Sequence, residues 1–337
     1  MKILVLSHSA VHERQQLFYK NLTHLGAQVL VIGPTQWKNL RMQNQEFSGY
    51  GQFGFNTIFE GDLRKFRIQG YKEMAANFKP DIIYCQQEWW CEQTEQLFHE
   101  WKTCDGLKQA KFVLFCWENL FKPQRAEERA ILREADLVIG GNKLATEIVS
   151  EFVKKPALLL PQVGVSLGLF GPDIDVWHAT GFASRKWDVL YVGREVPEKG
   201  IDLIRGVCNS LGAKLRVESI IPYSVMPIVY NSAKVFVSVP FKTKNWMEQS
   251  GSYTNLEAMA CGLPVISSRS GAIPEYIGEV ADLIDENNTQ QLLMFLSRLI
   301  YNPQLCWERG VANREFVNKN YGNAVVGTKL LKAFSEL

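Results

Sequence analysis

The sequence lacks the features that mark secreted, membrane-spanning or zinc-stabilised chains. Its seven cysteines are an odd number without a C-x-x-C pair, and its five histidines do not cluster near them. This pattern argues for reduced thiols and against a structural zinc site. The apolar run before Ser7 is too short for a signal-peptide core, and no later stretch approaches a membrane span. We therefore expect a cytoplasmic protein and leave open peripheral contact with the inner face of the membrane.

The chain also lacks an excess of charge of either sign. It has 37 basic and 35 acidic residues, with a formal net charge of +2, so no overall bias toward nucleic acid exists. Its 337 residues suffice for two domains that each bury a core, and 46% of them are hydrophobic. These values favour a globular two-domain protein.

Short apolar runs alternate with stretches of helical spacing along most of the chain. This alternation predicts βαβ units and two doubly wound parallel sheets of the α/β class. After Thr289 the pattern is helical to Leu337, with breaks at Pro303 and near Tyr321. The runs that predict strands lie at 3–6, 28–32, 81–84, 111–116, 137–140, 157–160, from 189, 215–219, 235–239, 265–267 and 282–284.

A loop around Gly251 leads into a short predicted helix. Thr254, followed three residues later by Glu257, predicts a capping box that opens a helix over 255–260. Unpaired backbone N–H groups and the positive end of a helix dipole suit such a junction to phosphate. The alternative is that Glu257 only caps its own helix.

Four blocks of the sequence form an ordered set of motifs. They are READLVIGGNKLATEIV at 133–149, LLLPQVGVSLGLF at 158–170, DVLYVGREVPEKGIDLI at 188–204 and EQSGSYTNLEAMACGLPVISSRSGAIPEYIG at 248–278. In this order the blocks resemble the family four (GT4-like) retaining glycosyltransferases of GT-B fold. The resemblance covers about half of the chain and implies two Rossmann-like domains that face a central cleft. It implies an acceptor domain over 1–170, a linker over 171–184 and a nucleotide-sugar domain over 185–320, with a C-terminal helix over 322–337 that crosses back to the first domain.

The resemblance also implies roles on the donor side. Arg194 and Lys199 would neutralise the donor diphosphate, which needs fixed positive charge as the leaving oxygens become negative. In the family, the first glutamate contacts the donor sugar. The strict spacing of the family, counted back from Glu257, places this position at Gln249. The Glu-x-x-Gly pattern instead selects Glu248, and we prefer Glu248. Glu257 would accept hydrogen bonds from the ribose. The implied donor-binding set is Arg194, Lys199, Gly251, Ser252, Tyr253, Thr254 and Glu257.

Candidates for the acceptor side follow strands of the first half. Where many family members have a histidine, this chain has Glu118, next to Asn119. Glu118 would bond the donor sugar or the incoming hydroxyl and completes the implied catalytic set with Glu248, Arg194 and Lys199; the alternative is a buried glutamate held by Arg or Lys. Three indoles at strand ends could stack on sugar, with core packing as the alternative, and we expect one of them to touch acceptor. They are Trp89, Trp90 and Trp117.

Three further motifs are weaker. GYGQFG at 49–54 fits a dinucleotide pattern but follows no predicted strand, so we predict a loop on the acceptor side. Asp173-Ile174-Asp175 imitates a metal-binding D-x-D but lies in the linker, where we predict a solvated turn and no metal. The basic run LRKFRIQGYK at 63–72 predicts an exposed helix start, with a patch for anionic lipid or a phosphorylated acceptor as the alternative.

The sequence as a whole predicts a retaining, metal-independent glycosyltransferase of carbohydrate biosynthesis. It would move a hexosyl group from a nucleotide-diphosphate sugar to a glycan, lipid or small-molecule acceptor, without a cofactor and without nucleic acid as a partner. Two alternatives remain: a nucleotide-sugar-binding protein of the same fold with little or no transferase activity, and a GT-B nucleotide-sugar epimerase.

Overall fold

In a computed structural model, which describes residues 1–175, 177–250 and 252–337, the chain divides into two compact units. The first unit comprises Met1–Gly164 and Asn323–Leu337, and the second comprises Val165–Gly322. The whole of the predicted linker 171–184 therefore belongs to the second unit, as do residues 165–170 of the predicted acceptor domain. The reason is apolar packing, because Phe182 is fully buried in the core of that unit.

The first unit contains an eight-stranded sheet and two short hairpins. The sheet has the order β12-β11-β10-β9-β1-β2-β6-β5 and is parallel except for β5, which pairs antiparallel with β6. Its central strands are buried on both faces and therefore appear in the sequence as continuous apolar runs. The strands are β1 (Lys2–Leu6), β2 (Gln28–Pro34), β3 (Gln36–Trp37), β4 (Leu40–Arg41), β5 (Gln45–Phe47), β6 (Tyr50–Phe55), β7 (Thr57–Ile58), β8 (Arg67–Ile68), β9 (Ile82–Cys85), β10 (Lys111–Cys116), β11 (Leu137–Gly140) and β12 (Leu158–Leu159).

Helices of the first unit connect these strands as expected for βαβ units. They are α1 (Glu13–His24), α2 (Lys72–Phe78), α3 (Glu92–Thr103), α4 (Ala126–Glu134) and α5 (Lys143–Ser150). The predicted strands of this half are confirmed, whereas β3 to β8 were not predicted. The basic run 63–72 forms turns and β8, with α2 beginning only at Lys72, so the prediction of a helix start over this run was wrong.

The glycine-rich segment GYGQFG is a strand, so the prediction of a loop was wrong. It forms β6, which lies parallel to β2 and is joined to β5 by the two residues Ser48 and Gly49. Gly49 has φ +81°, as a two-residue hairpin turn requires, and this turn explains the glycine. The polar sequence before it hid the pairing because β5 is an exposed edge strand.

The second unit contains a five-stranded sheet that is parallel throughout, in the order β14-β13-β15-β16-β17. All its strands were predicted and are confirmed. They are β13 (Trp187–Val192), β14 (Leu215–Glu218), β15 (Ala233–Ser238), β16 (Val265–Ser268) and β17 (Asp282–Ile284). The helices are α6 (Ala179–Ser184), α7 (Ile201–Leu211), α8 (Met226–Asn231), α9 (Tyr253–Ala260), α10 (Ile273–Ile277), α11 (Thr289–Ile300) and α12 (Pro303–Asn320).

The last helix, α13 (Asn323–Ser335), belongs to the first unit, as predicted for the C-terminal helix. Phe334 packs edge-on against Tyr84 of β9, with ring centroids 5.3 Å apart. Gly327 faces Leu22 and Leu25 at the end of α1, where a Cβ would crowd both leucines. Every helix in the described ranges is too short or too polar to span a bilayer.

Each sheet has a point where the strand order reverses. In the first sheet it lies between β1 and β9, and in the second between β13 and β15. Open α/β sheets bind ligands outside the carboxyl ends of the strands at such points. These two edges are therefore where functional side chains are expected.

Candidate functional site

The carboxyl edge of the second sheet holds Lys199 in place through the glycine that follows it. After β13 the chain makes a short turn at Pro197–Lys199 and enters α7 at Gly200, which has φ +71°. A Cβ on Gly200 would collide with the carbonyl oxygen of Val239, just after β15. Only glycine therefore lets this turn lie against β15, which places Lys199 at the reversal point.

Lys199 and Glu248 form an ion pair there. Lys199 Nζ lies 2.8 Å from Glu248 Oε2 and 4.5 Å from the ring centroid of Trp246. The other carboxylate oxygen, Oε1, accepts a 3.2 Å hydrogen bond from Ser250. The structure thus brings together two of the residues predicted for the donor site, although they are far apart in the sequence.

The turn after β16 fixes the backbone of Glu248. The amide of Ala272 donates a 3.0 Å hydrogen bond to the Glu248 carbonyl, and Gly271, with φ +52°, lies so close that a Cβ would overlap this oxygen. Glu248 is therefore held with its carboxylate on Lys199. The choice of Glu248 over Gln249 as the first glutamate agrees with this contact and stays a prediction.

Arg194 lies on the same connection after β13 but is not part of the ion pair. Its side chain is exposed, and its carbonyl oxygen accepts a 2.6 Å hydrogen bond from the Tyr191 hydroxyl. Among the described residues no ion pair engages its guanidinium, since neighbouring Glu195 pairs with Arg205. Arg194 is thus an available cation at this edge.

The beginning of α9 differs from the predicted capping box. The helix begins at Tyr253, and Ser252 precedes it with φ +54° and makes no side-chain cap to the helix. Ser252 Oγ bonds instead to Thr254 Oγ1 at 2.8 Å. The capping box was wrong because Thr254 already lies in the first turn. Ser252, with its positive φ, marks the junction between the loop and the helix; Gly251 lies outside the described residues.

Glu257 is fully buried and held by two tyrosines. Tyr223 donates to Oε1 at 2.8 Å and Tyr230 donates to Oε2 at 3.1 Å. A contact between Glu257 and ribose stays a prediction. Sequence reasoning missed both tyrosines, although their spacing of seven residues is typical of one helix face.

In the first unit, Glu118 is held by backbone amides and an indole. Its carboxylate accepts hydrogen bonds from the amides of Leu120 and Phe121, at 2.7 and 3.3 Å, and from Trp90 Nε1 at 3.2 Å. The alternative of a partner Arg or Lys is therefore not what the structure shows. Burial raises the pKa of Glu118, and the three donors oppose that rise.

A second carboxyl group, on Glu88 after β9, was not predicted. It accepts hydrogen bonds from the amides of Trp117 and Glu118, at 2.7 and 3.3 Å. Burial, with a contribution from the nearby Glu118 carboxyl, raises the pKa of Glu88 to about 8. The signal in the sequence was the acidic residue within QQEWW, directly after a strand.

The three tryptophans differ in accessibility. Trp89 is 1% exposed, so its predicted contact with an acceptor is not supported, because the ring packs inside the unit. Trp90 and Trp117 are half-buried. Trp117 lies over Gly141, and its Nε1 donates to Gln162 at 3.4 Å. Asn119 is buried, with only 4% of its surface exposed.

The D-x-D sequence lies at the surface. Asp173 and Asp175 are exposed, and the amide of Asp175 donates to the Asp173 side chain at 3.3 Å, as in a local turn. Across the described residues no group of three or more His, Cys, Asp or Glu side chains is arranged to hold a metal ion.

Known proteins resemble this chain in sequence and in fold. Residues 183–302 match the family of glycosyl transferases group 1. A GDP-mannose-dependent alpha-(1-6)-phosphatidylinositol monomannoside mannosyltransferase of Mycolicibacterium smegmatis is 29% identical over 250 residues, which are 63% of this chain. The aligned part spans 65% of the length of that relative, which is less than two thirds.

Solved structures resemble the whole chain. Sucrose-phosphate synthase of Thermosynechococcus elongatus superposes with a TM-score of 0.72 at 17% identity, covering 100% of this chain and 98% of the other. Anabaena HepE in complex with UDP-glucose superposes with a TM-score of 0.65 at 14% identity, covering both chains completely. At these identities the likeness concerns the fold. Residues 183–302 thus resemble the glycosyl transferases group 1, and the chain as a whole has the GT-B fold of these solved structures.

Proposed function

We propose that this protein is a retaining, metal-independent glycosyltransferase that moves a hexosyl group from a nucleotide-diphosphate sugar to an acceptor. The donor would bind at the carboxyl edge of the second sheet, and the first unit would bind the acceptor. The observation that carries the proposal is the ion pair of Lys199 with Glu248, held at the strand-order reversal by Gly200 and Gly271. The named relatives support the donor class: one uses GDP-mannose, and a solved neighbour contains UDP-glucose.

Positive groups would carry the charge of the leaving diphosphate. As the glycosidic bond breaks, its phosphate oxygens become more negative, and preorganised cations lower the barrier. Lys199 would supply one charge, and Arg194 a planar fork that suits two oxygens. The positive end of the α9 dipole would add a third contribution. Charge from the chain itself is why we propose transfer without a metal.

Glu248 would act on the sugar and on Lys199 together. One carboxylate oxygen already binds Lys199, and the other accepts a hydrogen bond from Ser250. A sugar hydroxyl could take the place of Ser250 without breaking the ion pair. The carboxylate would also stabilise the positive charge that develops at the anomeric carbon.

Glu118 would serve the acceptor side. Its carboxyl is fixed by two backbone amides and Trp90, so it offers an oriented group directly after β10. The raised pKa of Glu118 makes proton exchange with a hydroxyl easier than for an exposed glutamate. Trp90, half-buried beside it, would stack on the acceptor.

A thermal-shift panel of UDP, GDP, ADP and dTDP sugars tests the donor site. A ligand at 100 times its dissociation constant adds about 2.7 kcal/mol of stability, which is readily measured. Lys199→Met should abolish the shift. Lys234→Met is the matched control, because Lys234 forms a 2.7 Å ion pair with Asp188 at the opposite, amino edge of the same sheet. A missing shift with every nucleotide sugar would refute the proposed donor site.

Hydrolysis of the bound donor without acceptor separates the transferase from a catalytically silent binding protein. We expect slow release of free sugar that depends on Glu248 and Lys199. Nucleotide binding without hydrolysis or transfer would favour the silent protein, and release of a sugar with altered ring stereochemistry would favour an epimerase.

A further inference from the structure

His8 and Gln87 meet at the strand-order reversal of the first sheet. His8 follows β1 and Gln87 follows β9, and His8 Nδ1 lies 2.7 Å from Gln87 Oε1. β1 and β9 are adjacent parallel strands, with Leu6 opposite Cys85. This is the position at which an open α/β sheet binds its ligand, and none of the donor-site residues lies in this unit.

The His8 ring is held in one orientation by its neighbours. The buried rings of Trp37 and Phe66 lie 5.0 and 5.8 Å from it, centroid to centroid. The amide oxygen at Nδ1 can only accept a hydrogen bond, so Nδ1 carries the proton and Nε2 of the neutral ring is an acceptor. Burial, with the charge of Lys38, lowers the pKa of His8 to about 4, so the ring is neutral at pH 7.

Gln87 brings an unsatisfied donor to the same place. Its side chain is 4% exposed, and within the described residues its Nε2 has no hydrogen-bond partner. Nε2 and Oε1 are bonded to the same carbon, so this donor lies beside the His8 ring. A buried donor without a partner is costly, and a ligand oxygen would relieve that cost.

We infer that His8 and Gln87 form a subsite for the hydroxyl groups of a polyhydroxylated ring, either a saccharide or a cyclitol. A polyhydroxylated ring carries several hydroxyl groups, so one of them can donate to His8 Nε2 while another accepts a hydrogen bond from Gln87 Nε2. Ionised phosphate or carboxylate oxygens lack a proton to give to His8, and an ammonium group lacks a lone pair for Gln87. The inference rests on the proposed function, since the ring that binds here would be the glycosyl acceptor.

Histidine labelled with ¹⁵N reports on this subsite directly. The chain has five histidines, and His8→Phe assigns the His8 resonance while keeping a ring against Trp37. At pH 7 the expected tautomer has its proton on Nδ1. Methyl α-mannopyranoside or myo-inositol should shift the His8 Nε2 resonance and leave those of His24 and His99 unchanged. A shift with methyl α-mannopyranoside alone would indicate a saccharide as the ligand, and a shift with myo-inositol alone would indicate a cyclitol.

The controls separate hydroxyl recognition from general effects of a ligand. Tetrahydropyran-2-methanol, which lacks ring hydroxyls, should cause no shift. Gln87→Glu keeps an oxygen for Nδ1 but lacks the donor, so the tautomer should persist while the response to both probes is lost. A proton on Nε2, no shift with either probe, or an equal shift with tetrahydropyran-2-methanol would overturn the inference.

A thermal-shift measurement of nucleotide binding on the same His8 and Gln87 variants tests the donor site separately from the hydroxyl subsite. Intact nucleotide binding with no probe response at His8 removes only the hydroxyl subsite. A normal His8 response in a protein that binds no nucleotide sugar removes only the donor site.

Discussion

Lys199 Nζ binds Glu248 Oε2 at 2.8 Å although 49 positions separate the two residues. A second ion pair of the same unit, Lys234 with Asp188, is similarly short and similarly shielded from solvent. The difference is position, because Lys234–Asp188 lies near the amino ends of β15 and β13. Ligands of open α/β sheets bind at the carboxyl edge, so of these two pairs the one with Glu248 is the pair that we propose for the donor site.

Lys199→Met should raise the barrier to transfer by about 2 to 4 kcal/mol, because it removes charge from the leaving diphosphate. Arg194→Ala should act in the same direction. Steady-state kcat/KM with a nucleotide sugar measures both effects. Lys234→Met should leave kcat/KM nearly unchanged; equal losses in Lys199→Met and Lys234→Met would mean that ion-pair loss alone lowers activity.

Glu248→Gln should lower kcat by tenfold or more. The carboxylate makes charge-assisted hydrogen bonds worth roughly 1.5 to 3 kcal/mol each, and the amide makes weaker ones. Gln249→Ala should be mild. The reverse ranking in turnover assays would show that Gln249 fills the position of the first glutamate.

Gly200→Ala should destabilise the protein by more than about 1 kcal/mol, because alanine disfavours a positive φ and its Cβ meets the Val239 carbonyl. Gly206→Ala is the control in the same helix, where a Cβ meets nothing within 4 Å. Gly206→Ala should raise the free energy of unfolding by about 0.5 to 1 kcal/mol, because alanine has a higher helix propensity than glycine. Denaturant midpoints measure both, and a neutral Gly200→Ala would contradict the close approach to β15.

The pH dependence of stability should reflect Glu88. Its pKa is raised from 4.5 to about 8 in the folded state, so between these values the folded chain binds a proton that the unfolded chain has released. The contribution of Glu88 to the free energy of unfolding therefore falls as the pH rises from about 5 to 8. Unfolding midpoints should decline less steeply over this window in Glu88→Gln than in the wild type. Identical slopes would mean that Glu88 is ionised in the fold.

Transfer should persist in EDTA, since Arg194 and Lys199 are proposed to carry the phosphate charge. The measurement is initial rate in metal-free buffer with and without chelator. Activity that disappears with EDTA and returns with Mg²⁺ or Mn²⁺ would assign that charge to a metal ion.

The sequence by itself determined the buried strands of both sheets and the helical character of the chain after Thr289, but it did not predict the short strands β3 to β8. This worked because parallel strands buried on both faces require uninterrupted apolar runs, such as Lys111–Cys116, and helices end at recognisable residues, as near Pro303. Lys199 and Glu248 were proposed from the resemblance of their motifs to the family, and the structure shows that they form an ion pair.

Only the tertiary structure decided which groups face each other. Glu257 binds two tyrosines, Glu118 binds amides and Trp90, and Trp89 is buried, because these contacts join residues from separate elements. Periodicity reports which face of an element is buried but carries no information about the partner on that face. The pairing of His8 with Gln87 depends in the same way on two strands that are neighbours in the sheet and 79 positions apart in the chain.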